Sequence, residues 1–135
     1  MRSIHRLLAH GFLILVLSGA GIAAGAHSDL YVSTNGNDSN PGTIDKPLRT
    51  IQHAADIAKP GDTVNLRAGT YCQQLAVNVS GNAEQGFITF RSQPGEHAIL
   101  DGGCLTPPAG QSSMVLLTNV SFVRIEGLEI GNYRT

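Results

Sequence analysis

The stretch that decides the fold is "DTVNLRAGTY", Asp62 to Tyr71. Its side chains alternate: Val64, Leu66 and Ala68 point one way, Asn65 and Arg67 the other. That period of two predicts a strand with one apolar face. Moving outward, "QLAVNV" alternates again through Leu75, Val77 and Val79. "FITFRS" supplies Ile88 and Phe90, "AILDGG" a three-residue apolar run and a turn, and "FVRIEGLEI" supplies Val123, Ile125, Leu128 and Ile130 around Gly127. Short strands broken by Gly, Asp and Asn predict an all-β chain.

Three of these segments resemble one another: "TVNLRAG", "FITFRSQPG" and "FVRIEG". Each is followed by a second short apolar strand, "LAV", "AIL" or "LEI". Aligning Val64 with Ile88 and Ile88 with Val123 gives steps of 24 and 35 residues. A strand, a bend, a second strand and a return loop at that period predict a solenoid of stacked β-coils. Interior positions then stack on like positions of the next coil, and small aliphatics suffice. The composition agrees, with no Trp, 5% aromatics and 16 Gly.

Upstream, "DLYVST" (Asp29 to Thr34) reads as a strand, and "NGNDSNPGT" as turn chemistry. Thr50 is a helix N-cap candidate, and Ile51, Ala54, Ala55 and Ala58 form one small apolar face before Pro60-Gly61 stops the helix. A solenoid has an open end that must be covered. The helix from Thr50 to Lys59 is the expected lid.

Residues 1–26 have the pattern of a secretory signal peptide: Arg2 and Arg6, an apolar core from Leu7 to Leu17 interrupted by His10, then Ala24-Gly25-Ala26. The alternative is an uncleaved anchor, which the short apolar run disfavours. Cleavage after Ala26 leaves 109 of the 135 residues. Lys+Arg then falls from 9 to 7 against 10 acids, a net charge of −3. This mild balance points to neither nucleic acid nor, after cleavage, a membrane as partner. Export to an oxidising compartment makes Cys72 and Cys104 candidates for one disulfide, the alternative being two free thiols. The expected organisation is 1–26 leader, 27–62 strand, loop and capping helix, and 63–135 the first two to three coils.

The runs "YVSTNGNDSNPGT…PLRTIQHAADIAKPGDTVNLRAGTY", "ITFRSQPGEHAILDG" and "VRIEGLEI" resemble the N-terminal end of secreted right-handed parallel β-helix proteins of the pectin-lyase-like superfamily. The subgroup is that with a DUF1565-type N-terminus, which includes family 9 pectate-lyase-like proteins. The resemblance covers roughly Leu30 to Ile130 and is more specific for architecture than for activity. It implies a protein acting on polysaccharide, a lyase or hydrolase of acidic glycans, with calcium ligands and catalytic groups on middle coils. No such position exists in this chain. The expectation is therefore a capped start, inactive alone, with catalytic residues beyond Thr135. The alternative is a non-enzymatic adhesin or glycan-binding module.

Local candidates are few. Asp38 and Asn40 in the opening loop offer oxygens for an ion or a sugar, but an EF-hand count from Asn35 or Asp38 puts Lys46 or Arg49 at the twelfth place. The stronger reading is a structural turn. Asp101 and Glu129 could meet on one coil face as paired carboxylates; otherwise Asp101 caps its Gly102-Gly103 turn, and Glu126 and Glu129 face solvent. Arg67, Arg91 and Arg124 recur outward in the three repeats, either as a ladder for acidic sugars or as a solvated stripe. His27, His53 and His97 lack metal-ligand spacing, and no metal site is expected. G-x-S-x-G, C-x-x-C and Walker motifs are absent.

Overall fold

The structure is a computed structural model that describes residues 26–105 and 113–132. The leader expected over 1–26 lies outside the described residues, apart from Ala26. The elements in order are β1 (Asp29–Val32), α1 (Ile51–Ile57), β2 (Thr63–Leu66), β3 (Gly69–Tyr71), β4 (Leu75–Val77), β5 (Ile88–Ser92), β6 (Ala98–Asp101), a 3-10 turn (Gly102–Cys104), β7 (Val115–Leu117), β8 (Val123–Glu126) and β9 (Glu129–Gly131).

These strands form three parallel sheets in the orders β1-β2-β5-β8, β3-β6-β9 and β4-β7. Each coil visits the sheets in turn, which is the arrangement of a parallel β-helix. The first coil is β2-β3-β4, the second β5-β6-β7, and the third begins with β8 and β9. The third coil thus shows the two strands read in "FVRIEG" and "LEI".

The repeat is real, but its first step is 26 residues rather than 24. Thr63 pairs with Thr89 and Val64 with Phe90. The second step keeps Ile88 opposite Val123, a step of 35. Both alignments preserve the inward parity of Val64, so a two-residue slip leaves the apolar pattern unchanged. The run from Val64 is also shorter than expected. Strand β2 ends at Leu66, Ala68 is exposed, and the chain turns at Gly69 (φ 148°) into a different sheet.

Inward columns of side chains make the core. Leu30, Val64, Phe90 and Ile125 occupy one column of paired positions. Tyr71, Leu100 and Ile130 occupy another. Burial fades along the stack: Tyr71 and Leu100 are buried, whereas Ile130 is 49% exposed and Leu117 48%. The coil interior is closed at its first turn and open at its third.

Three devices close the first turn. The face of α1 predicted from spacing, Ile51, Ala54, Ala55 and Ala58, is buried in the core. Thr50 is its N-cap, with Oγ1 accepting the His53 N–H. The opening loop covers the free edge of β1: the Tyr31 N–H donates to Gly42 O, Leu48 N–H to Tyr31 O, and Ser33 N–H to Leu48 O. Finally, Gln52 on α1 acts as a substitute strand for β4. Its Oε1 accepts the Ala76 N–H and its Nε2 donates to Ala76 O, both at 2.9 Å. Exposed strand edges invite pairing with other chains, and each of these contacts blunts one.

Candidate functional site

The opening loop is held by its own polar groups. Asp38 Oδ1 accepts the backbone N–H groups of Arg49 and Thr50, and Oδ2 accepts the Thr50 hydroxyl, each at 2.8 Å. Burial pushes this carboxyl up. The Thr50 backbone and hydroxyl bonds, the Arg49 bond and the charge of His53 outweigh it, so its pKa lies below the ordinary value. Asn40 Nδ2 donates to Pro47 O. Both side chains therefore work on the loop itself, bringing the chain to the helix cap.

The three arginines do not form a ladder. On the outward face of the first sheet, Asn65 pairs with Arg91, and Arg91 with Glu126. Arg124 lies in the neighbouring row, opposite Thr89, and Arg67 sits just past the end of β2. Each arginine falls two positions short of its coil step: Arg91 follows Arg67 by 24 residues where the step is 26, and Arg124 follows Arg91 by 33 where the step is 35. Their partners differ as well. Arg67 Nε donates to Glu96 Oε1 at 2.7 Å, and Glu96 Oε2 accepts the Ala68 N–H. The Ala68 bond is the main cause that holds Glu96 below its ordinary value; partial burial opposes it and Arg67 adds to it. Arg91 Nε donates to Asn65 Oδ1 at 2.8 Å, and Asn65 Nδ2 donates to Asp29 Oδ1. The Arg124 guanidinium lies 4.5 Å from the Phe87 ring centroid, and Phe87 packs against Phe122 with centroids 5.5 Å apart.

Asp101 and Glu129 are also kept apart in role. Asp101 Oδ1 accepts the Gly103 N–H and caps the 3-10 turn. Glu129 Oε2 meets His97 Nε2 at 2.8 Å. In register, Asp101 faces Gly131 and Glu129 faces Ile99. Both carboxylates thus face outward on neighbouring strands, two positions out of register, and each is engaged by its own partner. Among the described residues, no group of three or more His, Cys, Asp or Glu could hold a metal ion.

Cys72 and Cys104 are joined in a disulfide with Cα atoms 5.7 Å apart. It ties the turn after β3 to the turn after β6, and so one coil to the next. Beside it lies a half-open cleft of about 290 Å³ lined by Thr34, Arg49, Thr70, Tyr71, Cys72 and Gln73. Its floor is rigid. The Tyr71 hydroxyl donates within the core, with Val32 O at 3.1 Å and Arg67 O at 2.8 Å, and burial pushes its pKa up to about 12. Sequence reasoning missed this cleft because its walls come from three separated segments, which meet only when the loop folds back on the first coil.

Comparison with known proteins gives a consistent lineage. Residues 30–135 match the family model described as "Pel9A-like, right handed beta helix region". An uncharacterized protein, YwoF of Bacillus subtilis (strain 168), is 37% identical over 106 residues, covering 78% of this chain and 22% of that protein. Pectate lyase PEL9 of Emericella nidulans is 43% identical over 77 residues, covering 56% of this chain and 18% of the lyase. The chain thus spans about a fifth of the length of either relative. Among solved structures, the GH136 lacto-N-biosidase of Eubacterium ramulus superposes with a TM-score of 0.63 at 31% identity, over 78% of this chain and 20% of that one. The shared coil architecture and the match over nearly all the described residues make the chain a member of the Pel9A-like family of right-handed parallel β-helix proteins.

Proposed function

We propose that this chain is the capped start of a longer secreted β-helix protein that cleaves an acidic polysaccharide, and that its own coils hold no catalytic centre. The observation that carries this reading is the 43% identity to a protein named as a pectate lyase. Three features support it. Every carboxylate singled out as a candidate is engaged in holding the fold or paired with a neighbouring residue. The last strand of each side is uncovered, with Ile130 of the third coil and Leu117 of the second half exposed, as a surface made to receive further strands. The disulfide suits an oxidising compartment.

The chemistry expected of the whole protein is β-elimination or hydrolysis at uronate residues. The test is digestion of polygalacturonate by the protein as secreted from its source. Ultraviolet-absorbing unsaturated products identify a lyase, and reducing ends without that absorbance a hydrolase. Retention on immobilised polygalacturonate with no cleavage overturns the enzyme reading in favour of a glycan-binding module. Activity in a protein comprising residues 27–135 alone overturns the assignment of these coils as non-catalytic.

A further inference from the structure

The cleft beside the disulfide is built differently from the other polar surfaces of the chain. The guanidiniums on the first sheet are committed: Arg67 to Glu96, Arg91 to Asn65, and Arg124 to Phe87 and Glu126. Arg49 is not. Its side chain makes no hydrogen bond or ion pair among the described residues, while its backbone is clamped on both sides. The N–H donates to Asp38 Oδ1 at 2.8 Å, and the carbonyl accepts from Gln73 Nε2 at 3.4 Å. Gln73 is fixed in turn, because its Oε1 accepts the Ile51 N–H. A free cation therefore stands on a held backbone at the rim of a cleft. Its walls add two hydroxyls, Thr34 and Thr70, neither of which donates to another group among the described residues. Cys72 and its disulfide fix the far wall.

We propose that this cleft is a binding site for a single carboxylate-bearing sugar, a uronate residue of a glycan chain. A planar guanidinium matches a carboxylate with two parallel hydrogen bonds. The threonine hydroxyls suit the ring hydroxyls of the same residue. A volume of about 290 Å³ limits the site to a small unit, with the rest of the glycan leaving through the open side. The site lies at the loop-covered start of the stack, so it holds a polysaccharide without taking part in its cleavage. The ligand class rests on the reading of the protein as acting on acidic polysaccharide; the site itself rests on the geometry of Arg49.

The experiment is calorimetric titration of the protein as secreted, under non-reducing conditions, with galacturonate, galactose, acetate and inorganic phosphate. Galacturonate should bind more tightly than galactose or acetate, which each carry half of its chemistry. Arg49→Gln should weaken galacturonate by about tenfold or more, the loss expected for a charge-assisted pair. Arg49→Lys, which keeps the charge without the fork, should fall between. Thr70→Ala should weaken galacturonate and galactose alike. Equal binding of galacturonate to Arg49→Gln, or no binding to the unaltered protein, overturns the site. Phosphate or acetate binding as tightly as galacturonate overturns the sugar as ligand. If polygalacturonate is cleaved while this cleft ignores galacturonate, this inference falls and the proposed activity stands. Binding here without any cleavage keeps the site and removes the activity.

Discussion

Asp38 offers the sharpest test of how the lid is fastened. Its carboxylate accepts three hydrogen bonds at 2.8 Å, two from backbone N–H groups and one from the hydroxyl of the N-cap residue Thr50. Bonds to a charged group contribute roughly 1.5–3 kcal/mol each when shielded, but this carboxylate is only partly buried and water screens it. A total of about 2 kcal/mol for Asp38→Ala is therefore the reasoned value, at the upper end of the range for losing a helix cap. Asp38→Asn keeps an oxygen for the two N–H donors and loses the charge, which should cost about 1 kcal/mol. The assay is amide hydrogen exchange in α1, because local opening reads the lid directly. The His53, Ala54 and Ala58 amides report on it, since they donate to Thr50 Oγ1, Thr50 O and Ala54 O. Their exchange should rise about 30-fold in Asp38→Ala and about fivefold in Asp38→Asn. Wild-type protection in Asp38→Ala would refute the argument that the loop exists to fasten the lid.

Four further outcomes follow from the same structure. Reducing Cys72–Cys104, or replacing both with Ser, opens a cross-link spanning 32 residues and should lower stability by about 4 kcal/mol in the chain-entropy account, read by urea titration. Asp38 and Glu96 are held below their ordinary values of 3.8 and 4.5, so each adds stability in full above those values and loses it as pH falls through the lower folded-state pKa; melting temperature should drop on that acid limb, and less steeply in Asp38→Asn. Gly36→Ala places a Cβ 2.0 Å from Leu48 O and should cost about 3 kcal/mol or more, whereas Gly86→Ala, with open space and φ +98°, should cost only about 1 kcal/mol of backbone strain; paired thermal melts compare them. Gln52→Ala frees the Ala76 N–H and carbonyl and should raise self-association on dilution-series light scattering, while Gln52→Glu should restore only the N–H contact.

What the sequence disclosed followed from what repeats locally. The lid face at Ile51, Ala54, Ala55 and Ala58 is buried as its spacing predicts, because a helix period is fixed within a few residues. The inward alternation of Val64, Leu66, Ile88 and Phe90 was equally legible. The register between coils was not. Parity permits any even slip, and the choice between 24 and 26 is made by turns that a period of two does not record. The arginine ladder failed partly for that reason: the 26-residue step separates Arg67 from Arg91, while Arg124 already stands 33 residues after Arg91 against a step of 35, so the three lie on a diagonal. The end of β2 failed for a different one. Ala68 continues the alternation on paper, yet Gly69 takes a conformation that turns the chain into the next sheet.

The closing of the first turn shows why candidate-site residues are hard to read in a solenoid. A sheet edge presents N–H and C=O groups at fixed spacing, and whatever covers it must supply the complementary groups from outside the repeat. Here the covering comes from Leu48 and Gly42 against β1 and from Gln52 against Ala76, while Gln73 takes up the free N–H of Ile51 at the start of α1. None of these pairs lies at a helix or strand spacing in the sequence, so each polar residue looks like ordinary surface. The same holds for Asp38, whose Asn- and Gly-rich setting suggests an ion loop but whose oxygens are directed to Arg49 and Thr50. Asp38, Asn40 and Asp101 each direct a polar atom to the backbone of a neighbouring loop or turn, whereas Arg49 lines the cleft with its backbone held and its side chain without a partner among the described residues.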